Sequence, residues 1–517
     1  MFVLCGGLAE ALAHGFMKEL FLFVRPPRPL WPLNGPSTSF WPPLAFASLA
    51  AALREKIRDL RVAILDAPAL KMGWRTLESE IRRREPGYIG IGEEAVSCVE
   101  GLRLARLAKD CGARVIAGGC FFGHVAPQLL QTCLVDVVVH GEGEETIVEL
   151  MEALRLGGQR HLRRVAGISF LADGEVIFTG HRPLLPNLDS LPFPAYDLLP
   201  VERYGNGSRN HPQLAAIEMS RGCADSCAFC VLWRQMGQVH GGRITPRLRA
   251  KSAERLMEEI RILARKFDRR YLGWVDPCFN AHPHLPATLA ELLLKEGLRL
   301  GQSAWMRADA ILRDEASGAL ATCVRAGLNE VYVGLERSDD QSLLALNKGE
   351  DFAQIRAAVN ILSRQYPQVF TIGSFIYGLP GDTPKTVRDM YRLSIELGVD
   401  KAFFIPLTPL PGTPFWREEL WDPTGERFRS FHFLPNAAVN SPTRTLDRTL
   451  LTCCALNWGL DRIRSYFHGL TSPDARKRRL TWRIFVRSIR LECQLAFRAI
   501  TGQANHFGMI FPRWYEN

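Results

Sequence analysis

Three cysteines close together in the sequence are the residues best suited to carry chemistry. Cys223, Cys227 and Cys230 lie within the stretch MSRGCADSCAFCVLW, with three residues and then two residues between them. Thiolates are soft ligands that suit iron–sulfur clusters or zinc. A closed structural zinc site needs a fourth ligand close by, commonly from a second CxxC pair, and none follows here. Three ligands on a four-iron cluster leave one iron free to bind another molecule.

The CxxxCxxC spacing, with Phe229 directly before the last cysteine, resembles the radical S-adenosylmethionine (SAM) family. The resemblance implies that the three cysteines hold a [4Fe–4S] cluster whose open iron binds the amino and carboxylate groups of SAM. One electron then splits SAM into methionine and a 5′-deoxyadenosyl radical. The alternative is that unrelated cysteines, in a chain that has 13, fall at this spacing by chance.

The same resemblance implies SAM contacts at the carboxyl ends of later strands. The implied residues, with Leu410 near the adenine, are Phe229, Arg307, Glu336, Gly378, Pro380, Gly381 and Leu410. A carboxylate such as Glu336 can accept from a ribose hydroxyl or from the methionine ammonium, and Arg307 offers a planar fork to a carboxylate. Gly381 lets backbone approach a ligand closely. Each polar residue can also be a strand-end cap or a surface salt bridge.

The family's GGE-type motif after the second strand is absent, and DPCFN, residues 276–280, stands in its place. This leaves the contact to the SAM ammonium open. Asp276 and Asn280 can reach SAM or substrate from this position. Further residues near predicted strand ends can face substrate or simply pack: Cys278, Trp305, Tyr332 and Tyr377.

The region before the cysteines alternates short apolar strands with amphipathic helices. The predicted strands are Glu19–Val24, Arg61–Ala67, Tyr88–Gly92, Arg114–Gly119 and Val135–Gly143, and the predicted helices are Leu44–Glu55, Trp74–Arg84, Val99–Asp110 and Glu144–Leu156. This alternation predicts an α/β fold with a parallel, doubly wound, Rossmann-like sheet. Ligands bind such sheets at the carboxyl ends of the strands.

Those strand ends are rich in glycine but lack the GxGxxG fingerprint, which disfavours a nicotinamide cofactor. A domain that ends in GEGE ahead of the cysteine motif resembles the cobalamin-binding domain of cobalamin-dependent radical SAM enzymes. The resemblance implies cobalamin contacts from Ser97, Gly118, Gly119, Gly141, Glu142 and Gly143. The sequence has no DxHxxG motif, which fits the implied cobalt without a protein histidine below it. The alternative is a Rossmann-like domain that binds another ligand or none.

The region after residue 213 predicts a second α/β unit. Six strands separated by helices favour a partial (βα)6 TIM-type barrel with its chemistry at the carboxyl ends. The predicted strands are Leu214–Ser220, Tyr271–Asn280, Leu298–Asp309, Glu330–Asp339, Phe370–Thr383 and Lys401–Thr413. The predicted domains are a cobalamin-binding domain (1–160), a hairpin and Pro-rich linker (161–212), the radical SAM barrel (213–416) and a mainly helical C-terminal region (417–517).

The C-terminal region predicts an amphipathic helix between Trp482 and Ile500 with arginines along one face. It is either a membrane-surface helix, a basic cap over an anionic substrate, or a helix packed on the barrel. A helix packed on the barrel is the simpler of these interpretations. The first 20 residues are weak as a secretory signal, and no stretch reaches the roughly 20 apolar residues of a membrane span.

Composition sets broader bounds. A chain of 517 residues exceeds one ordinary domain, and its 13 unevenly spaced cysteines do not form a small disulfide framework. An oxygen-sensitive cluster predicts a reducing compartment, so the expected location is cytoplasmic. The net charge of +10 permits an acidic substrate or an anionic membrane surface, and does not by itself indicate nucleic acid.

The two implied cofactors favour a division of labour. The leading hypothesis is cobalamin-dependent methyl transfer to an unactivated carbon, or to phosphorus, of a small-molecule, lipid or tetrapyrrole substrate. An electron donor such as flavodoxin or ferredoxin is the expected partner. The second hypothesis is a radical cyclisation or oxidation like that of the anaerobic magnesium-protoporphyrin ester cyclases. A third, of another class, is a cobalamin or cluster sensor without turnover. Methylthiolation of tRNA is disfavoured, because neither a second cysteine set nor a C-terminal RNA-binding barrel is evident.

Overall fold

The computed structural model describes residues 20–28, 41–92, 95–205, 211–430, 469–483, 485–486 and 514–517, together with residues 446 and 449. Most of the predicted C-terminal amphipathic helix, from residue 487 onwards, lies outside the described residues. Among the described helices, none has both the length and the apolar composition that crossing a membrane requires.

The first sheet is built from the early strands of the described chain. They are β1 (Leu20–Arg25), β2 (Arg61–Asp66), β3 (Tyr88–Ile91), β4 (Arg114–Ala117), β5 (Val137–Val139), β6 (Ile168–Ala172) and β7 (Glu175–Phe178). Their order across the sheet is β2-β1-β3-β4-β5-β6-β7. The strands β1 to β5 run parallel, and the hairpin β6–β7 joins β5 antiparallel. The predicted parallel sheet is confirmed, and the hairpin that the sequence analysis placed in the linker extends this sheet.

Helices cover both faces of the first sheet. They are α1 (Leu44–Lys56), α2 (Ala67–Leu70), α3 (Trp74–Arg84), α4 (Cys98–Asp110), α5 (Gly119–His124), α6 (Ala126–Gln131), α7 (Glu144–Leu156) and α8 (Gln159–Leu162). Side chains alternate between the faces of a strand. Phe21 and Phe23 of β1 therefore pack in one core with α1 and α7, whereas Leu22 and Val24 pack in another with α3 and α4. Burial on both faces explains why β1 reads as an uninterrupted apolar run.

The second sheet is wholly parallel. Its strands are β8 (Leu214–Ile217), β13 (Tyr271–Trp274), β14 (Gly301–Met306), β15 (Leu328–Glu336), β16 (Phe370–Tyr377) and β17 (Lys401–Pro406). They are ordered β17-β16-β15-β14-β13-β8, so the order in space follows the order in sequence. This is the arrangement expected of a partial barrel, and the six predicted strands are all present with shorter bounds.

Smaller strands and the connecting helices complete this unit. The short strands are β9 (Ser220–Arg221), β10 (Gln238–His240), β11 (Arg243–Thr245) and β12 (Arg249–Ala250). The helices are α9 (Leu232–Gln235), α10 (Ala253–Arg261), α11 (Leu285–Glu296), α12 (Ala308–Ala316), α13 (Ala319–Arg325), α14 (Asp340–Ala345), α15 (Phe352–Gln365) and α16 (Pro384–Glu396). A π-helical segment, Ile262–Lys266, continues α10. These helices pack their apolar faces on the outside of the parallel strands.

The proline-rich linker folds against both units. It contains short 3-10 turns at Leu188–Ser190, Tyr196–Leu198 and Val201–Arg203. The Tyr196 hydroxyl donates to Glu259 of the barrel domain at 2.7 Å, and the Tyr204 hydroxyl donates to Asp66 of the first sheet at 2.7 Å. These buried hydrogen bonds make the linker part of the interface.

The amino-terminal end of the barrel is closed by the C-terminal region. Residues 475–483 are helical. Arg476 donates to the Tyr271 hydroxyl at 2.9 Å and pairs with Glu330 at 3.3 Å, and Lys477 pairs with Asp400 at 2.9 Å. Residues 475–483 are therefore packed on the amino-terminal end of the barrel, and the packing of the predicted helix between Trp482 and Ile500 stays a prediction.

A buried ion-pair network joins the two sheets. Arg221 pairs with Glu142 at 3.1 Å, with Glu144 at 2.6 Å and with Glu218 at 2.8 Å. Arg221 is 7% exposed, so its removal leaves carboxylates buried without their partner.

We expect Arg221→Met to lower the free energy of unfolding by about 3–5 kcal/mol, because breaking a buried ion pair strands its remaining charges. Urea denaturation measures the change. The matched control is Arg54→Met, which removes an exposed pair with Asp197 and is expected to cost under about 1 kcal/mol. Equal destabilisation by the two variants would contradict the network's role.

Candidate active site

The cysteine loop follows β8 and β9 at the carboxyl end of the barrel. Cys223, Cys227 and Cys230 are free thiols, each partly buried. Burial raises the pKa of all three, that of Cys227 to about 12. The charge of Cys230 adds to the rise at both other thiols, which places the three sulfurs in one neighbourhood. Their thiolate forms therefore need a cationic partner such as iron to be stable.

The three thiols fit a four-iron cluster better than a single ion. Within the described ranges, no three His, Cys, Asp or Glu side chains converge on one metal position. A cubane cluster binds each cysteine through a different iron, so its ligands need not converge on one point. Three soft donors lie on one loop, and no fourth ligand converges with them in the described part of the chain. This set matches a cluster that keeps one iron open.

Hydrogen bonds from the loop at residues 346–350 fix the cysteine loop. The Ala228 amide donates to the carbonyl of Leu346 at 2.8 Å, and the Asn347 side chain donates to the carbonyl and hydroxyl oxygens of Ser226 at 3.0 and 2.8 Å. The Trp233 indole donates to the carbonyl of Cys227 at 2.9 Å. The shape of the cysteine loop is therefore set by a segment more than a hundred residues later in the chain.

Arg307, at the end of β14, also holds the cysteine loop. Its guanidinium pairs with Asp225 at 3.2 Å, with Asp309 at 3.0 Å and with Glu350 at 3.8 Å. The Asp225 amide in turn donates to Cys223 Sγ at 3.5 Å. The structure thus engages the Arg307 fork with protein carboxylates, and its predicted contact to a SAM carboxylate stays a prediction.

Glu336 lies at the carboxyl end of β15, where the pairing with β16 shifts register at a bulge. Its φ of 57° is in the left-handed region, and its side chain is buried. A Cβ at Gly334 would lie 2.4 Å from Glu336 Oε1, so a side chain there would displace the carboxylate. Burial raises the pKa of Glu336 to about 7. The backbone therefore aims a carboxylate that is partly protonated near neutrality into the mouth of the barrel.

Lys348 is the site residue that the sequence analysis missed. It is 5% exposed, and its Nζ lies 3.0 Å from Glu350 and 3.7 Å from Glu336. Burial works to lower the pKa of Lys348, but the charges of Glu336 and Glu350 outweigh it and hold that pKa above its ordinary value. The lysine also lies close enough to Cys227 and Cys230 for its charge to oppose the rise that burial causes in the pKa of both thiols.

The only local signal for Lys348 is a charged run, NKGED, directly after a short helix. Such a run ordinarily indicates a solvated loop, so the sequence gives no reason to bury it. We call the group of charged side chains at this end of the barrel the acidic cluster. It consists of four carboxylates, Asp225, Asp309, Glu336 and Glu350, and two cations, Arg307 and Lys348. Four carboxylates against two cations favour a ligand that carries positive charge.

Asp276 and Asn280 have backbone partners. Asp276 accepts from the amides of Met219 and Ser220 at 3.0 and 2.5 Å and from the Ser220 hydroxyl at 2.6 Å. Burial raises its pKa to about 7. Asn280 accepts from the Arg307 amide at 3.1 Å, and Cys278 is buried beside it. These residues position the strand ends that carry the cysteine loop and Arg307.

The turn at Gly378–Asp382 is held by its own aspartate. Asp382 accepts from the Gly378 and Leu379 amides at 2.8 and 3.0 Å and pairs with Arg337. Gly378 and Gly381 have φ values of 89° and 92°, which glycine adopts without strain. Pro380 and Gly381 are exposed at the rim, where a ligand can meet them.

The aromatic residues near the strand ends differ in exposure. Trp305 stacks on Tyr332 with ring centroids 4.7 Å apart and is 38% exposed, whereas Tyr377 is buried. The Tyr332 hydroxyl donates to Glu330 at 2.8 Å. Trp305 is therefore the one of these three that offers an open face. Leu410 is partly buried against the α3–α4 core of the first domain, and its contact to the adenine stays a prediction. Phe229 is partly buried in the cysteine loop.

The glycines predicted for cobalamin lie at the carboxyl ends of β4 and β5. Gly119 and Gly141 have φ values of 88° and 66°, and a Cβ at Gly118 would lie 3.5 Å from the Val139 carbonyl. Ser97 is buried at the end of the loop after β3. These open backbone positions beside one another fit a large planar cofactor that approaches the strand ends closely.

Two residues of the same set have other tasks. Glu142 accepts from Arg221 at 3.1 Å, from Arg249 at 2.7 Å and from the Leu185 amide at 2.9 Å. Both of its carboxylate oxygens therefore have protein partners, and its predicted contact to cobalamin stays a prediction. A Cβ at Gly143 would lie 2.8 Å from Leu49, so this glycine allows α1 to pack closely on the start of α7.

Comparison with known proteins identifies both domains. Residues 31–151 match the B12 binding domain, and residues 217–394 match the Radical SAM superfamily. An uncharacterized methyltransferase of Pyrococcus horikoshii is 29% identical over 72% of this chain and 78% of its own. The anaerobic magnesium-protoporphyrin IX monomethyl ester cyclase of Rubrivivax gelatinosus is 26% identical over 76% of this chain and 68% of its own.

The fold likewise matches a solved structure, the radical SAM methyltransferase TsrM from Kitasatospora setae with cobalamin and a [4Fe–4S] cluster bound. The TM-score is 0.60 at 20% identity, over 77% of each chain. Two domain matches in the same order, with the three free thiols inside the second, carry the conclusion. The chain therefore carries a B12-binding domain followed by a radical SAM domain.

Proposed function

We propose that this protein transfers a methyl group to an unactivated carbon, or to phosphorus, of a small-molecule, lipid or tetrapyrrole substrate. The observation that carries the proposal is the placement of the cysteine loop beside the acidic cluster, at the end of the barrel nearest the glycine-rich strand ends of the first sheet. The similarity to a methyltransferase over most of both chains supports it. We expect a flavodoxin or ferredoxin to supply the electron.

When bound, the cluster supplies the electron that cleaves SAM, and the corrin carries the methyl group. The chain's own residues bind and orient SAM. The excess of carboxylates in the acidic cluster favours its sulfonium and ammonium charges, and Lys348 provides a cation for its carboxylate. The ionised form of Glu336 accepts from the ammonium or a ribose hydroxyl, and Arg307 holds the cysteine loop in register with these groups.

The predicted domain boundaries stay proposals. The hairpin β6–β7 belongs to the first sheet, so we propose that the cobalamin-binding unit extends to Phe178. Trp305, with its open face inside the barrel mouth, is the side chain we propose to contact the substrate.

Anaerobic incubation with SAM and a chemical reductant tests the proposed function. A methyltransferase of this kind releases S-adenosylhomocysteine as well as 5′-deoxyadenosine. The second candidate function is oxidative cyclisation of a tetrapyrrole, favoured by the similarity to the magnesium-protoporphyrin cyclase. It predicts 5′-deoxyadenosine without S-adenosylhomocysteine. Release of neither product would point to the sensor hypothesis.

SAM affinity is expected to rise with pH because of Glu336. Its pKa in the folded protein, about 7, lies above the ordinary 4.5. Between these values the native state binds more protons than the unfolded state, so without ligand the stability falls as the pH rises through this window. A SAM ammonium favours the ionised carboxylate, so binding should tighten by about tenfold between pH 6 and 7.5.

Equilibrium dialysis with SAM at each pH measures this dependence. The Glu336→Gln variant keeps the shape of the side chain but does not ionise, so its affinity should be weaker and nearly independent of pH. A variant with the same pH profile as the native protein would show that Glu336 does not contact the SAM cation.

A further inference from the structure

A cavity of about 460 Å³ lies where the two domains meet. On one side are the carboxyl ends of β4 and β5 with the hairpin β6–β7, and on the other are α9 and the hairpin β10–β11, which directly follow the cysteine loop. Gly119 and Gly141, both predicted to contact cobalamin, line it. The volume suits a small ligand or one arm of a larger one, but not a whole corrin with its nucleotide tail.

Two buried polar atoms at this cavity have no hydrogen-bond partner within the described part of the chain. They are Nε2 of His124 and Nε of Arg234. The Arg234 guanidinium stacks over the Trp233 ring at 4.4 Å, and no described carboxylate lies within ion-pair distance of it. Burying the Arg234 Nε and His124 Nε2 atoms without hydrogen-bond partners costs folding free energy, unless a ligand supplies the acceptor.

The two groups lie near each other. Burial and the charge of Arg234 both lower the pKa of His124. A Cβ at Gly412 would lie 2.6 Å from the His124 ring, so the imidazole is wedged against the loop after β17. Glycine at position 412 thus leaves room for the ring, and burial favours its neutral form, which has one N–H to donate.

The other buried or partly buried polar groups of the lining are already engaged, and His181 is exposed to solvent. His140 bonds to the Ser169 hydroxyl at 2.8 Å. Arg182 donates to Thr146 at 2.9 Å and to Glu149 at 2.9 Å. Glu142 is paired with the barrel arginines, as described above. The uncompensated chemistry of the cavity is therefore that of one guanidinium and one imidazole.

We propose that this cavity is an oxyanion-binding site in which Arg234 and His124 hold a phosphate or carboxylate group. Two ligands of the proposed function carry such a group: the phosphodiester in the nucleotide tail of cobalamin, or an acidic substrate. The position beside Gly119 and Gly141 favours the phosphodiester. Anion binding here precedes any turnover, so the site stands or fails independently of methyl transfer.

Orthophosphate is the probe for the site. Equilibrium dialysis of labelled orthophosphate against corrinoid-free, full-length protein should show one saturable site. Arg234→Gln should weaken it by about tenfold or more, because a charge-assisted hydrogen bond is lost. His124→Gln should weaken it too, and gives a second test if one variant folds poorly. The matched control is Arg243→Gln, which removes an exposed charge from β11 and should leave the affinity unchanged.

Corrinoid loading distinguishes the two sources of the oxyanion. If hydroxocobalamin blocks phosphate binding and cobinamide, which lacks the nucleotide tail, does not, the site holds the cofactor's phosphodiester. If phosphate still binds both loaded forms, the site serves an acidic substrate. Blocking by cobinamide as well would mean that the corrin ring itself fills the cavity, and this overturns the proposal. So does phosphate binding that is absent, or that is equal in the native protein and in both variants.

Discussion

Replacing Cys223, Cys227 or Cys230 with alanine is expected to remove the cluster absorbance and reduce SAM cleavage to background. Each cysteine would bind a different iron, so the loss of one would leave the cubane with two protein ligands and expose a second iron. Because the reductive step depends on the cluster, the effect should be as large as the assay can record. Iron and sulfide analysis and 5′-deoxyadenosine release, measured after anaerobic reconstitution, are the two readouts.

Cys133→Ala is the matched control for these variants. Cys133 is an exposed cysteine, far along the chain from the cysteine loop. This variant should keep both the cluster and SAM cleavage. A single variant at position 223, 227 or 230 that still cleaves SAM at the native rate would refute the assignment of that cysteine as a ligand.

Replacing Lys348 with methionine is expected to be the second largest effect, weakening SAM binding by about 10- to 150-fold. The change removes the cation that faces the SAM carboxylate, and a buried charge-assisted contact of this kind carries about 1.5–3 kcal/mol. The variant also leaves Glu336 and Glu350 buried without their shared cation, so the protein should lose stability as well. Equilibrium dialysis with SAM gives the affinity, and thermal unfolding gives the stability.

A second variant separates the two effects of Lys348. In Lys348→Met combined with Glu350→Gln, the stranded charge nearest the lysine is removed, so much of the stability should return. SAM binding should stay weak, because the cation is still missing. Lys348→Arg should retain more affinity than Lys348→Met, since it keeps the charge. Native SAM affinity in the Lys348→Met variant would show that the lysine only supports the fold.

The acidic cluster and the oxyanion cavity have opposite preferences. At the barrel mouth, four carboxylates around two cations suit the positive charges of SAM, whereas the cavity next to α9 offers Arg234 to a negative group. Both sites adjoin the cysteine loop, one through the loop at residues 346–350 and the other through the helix that follows Cys230. The cysteine loop is therefore the element through which occupancy of either site can affect the position of the cluster.

The sequence by itself determined the features that local patterns encode. The cysteine spacing is a local property, and it predicted the radical SAM domain that the family match confirms. The alternation of apolar strands with amphipathic helices likewise predicted both parallel sheets, because periodicity reports which faces of each element are buried. Glycines at strand ends were found for the same reason, since each lies next to the strand that positions it.

Only the tertiary structure decided which distant side chains meet. Lys348 lies in a charged run that the sequence assigns to a solvated loop, yet it is buried between Glu336 and Glu350. The partners of Arg307 and Glu142 could not be predicted either. An ion pair depends on where two strand ends come together in space, and no local period or spacing records this. Burial decides whether such a charge is solvated or functional, and burial is a property of the folded chain alone.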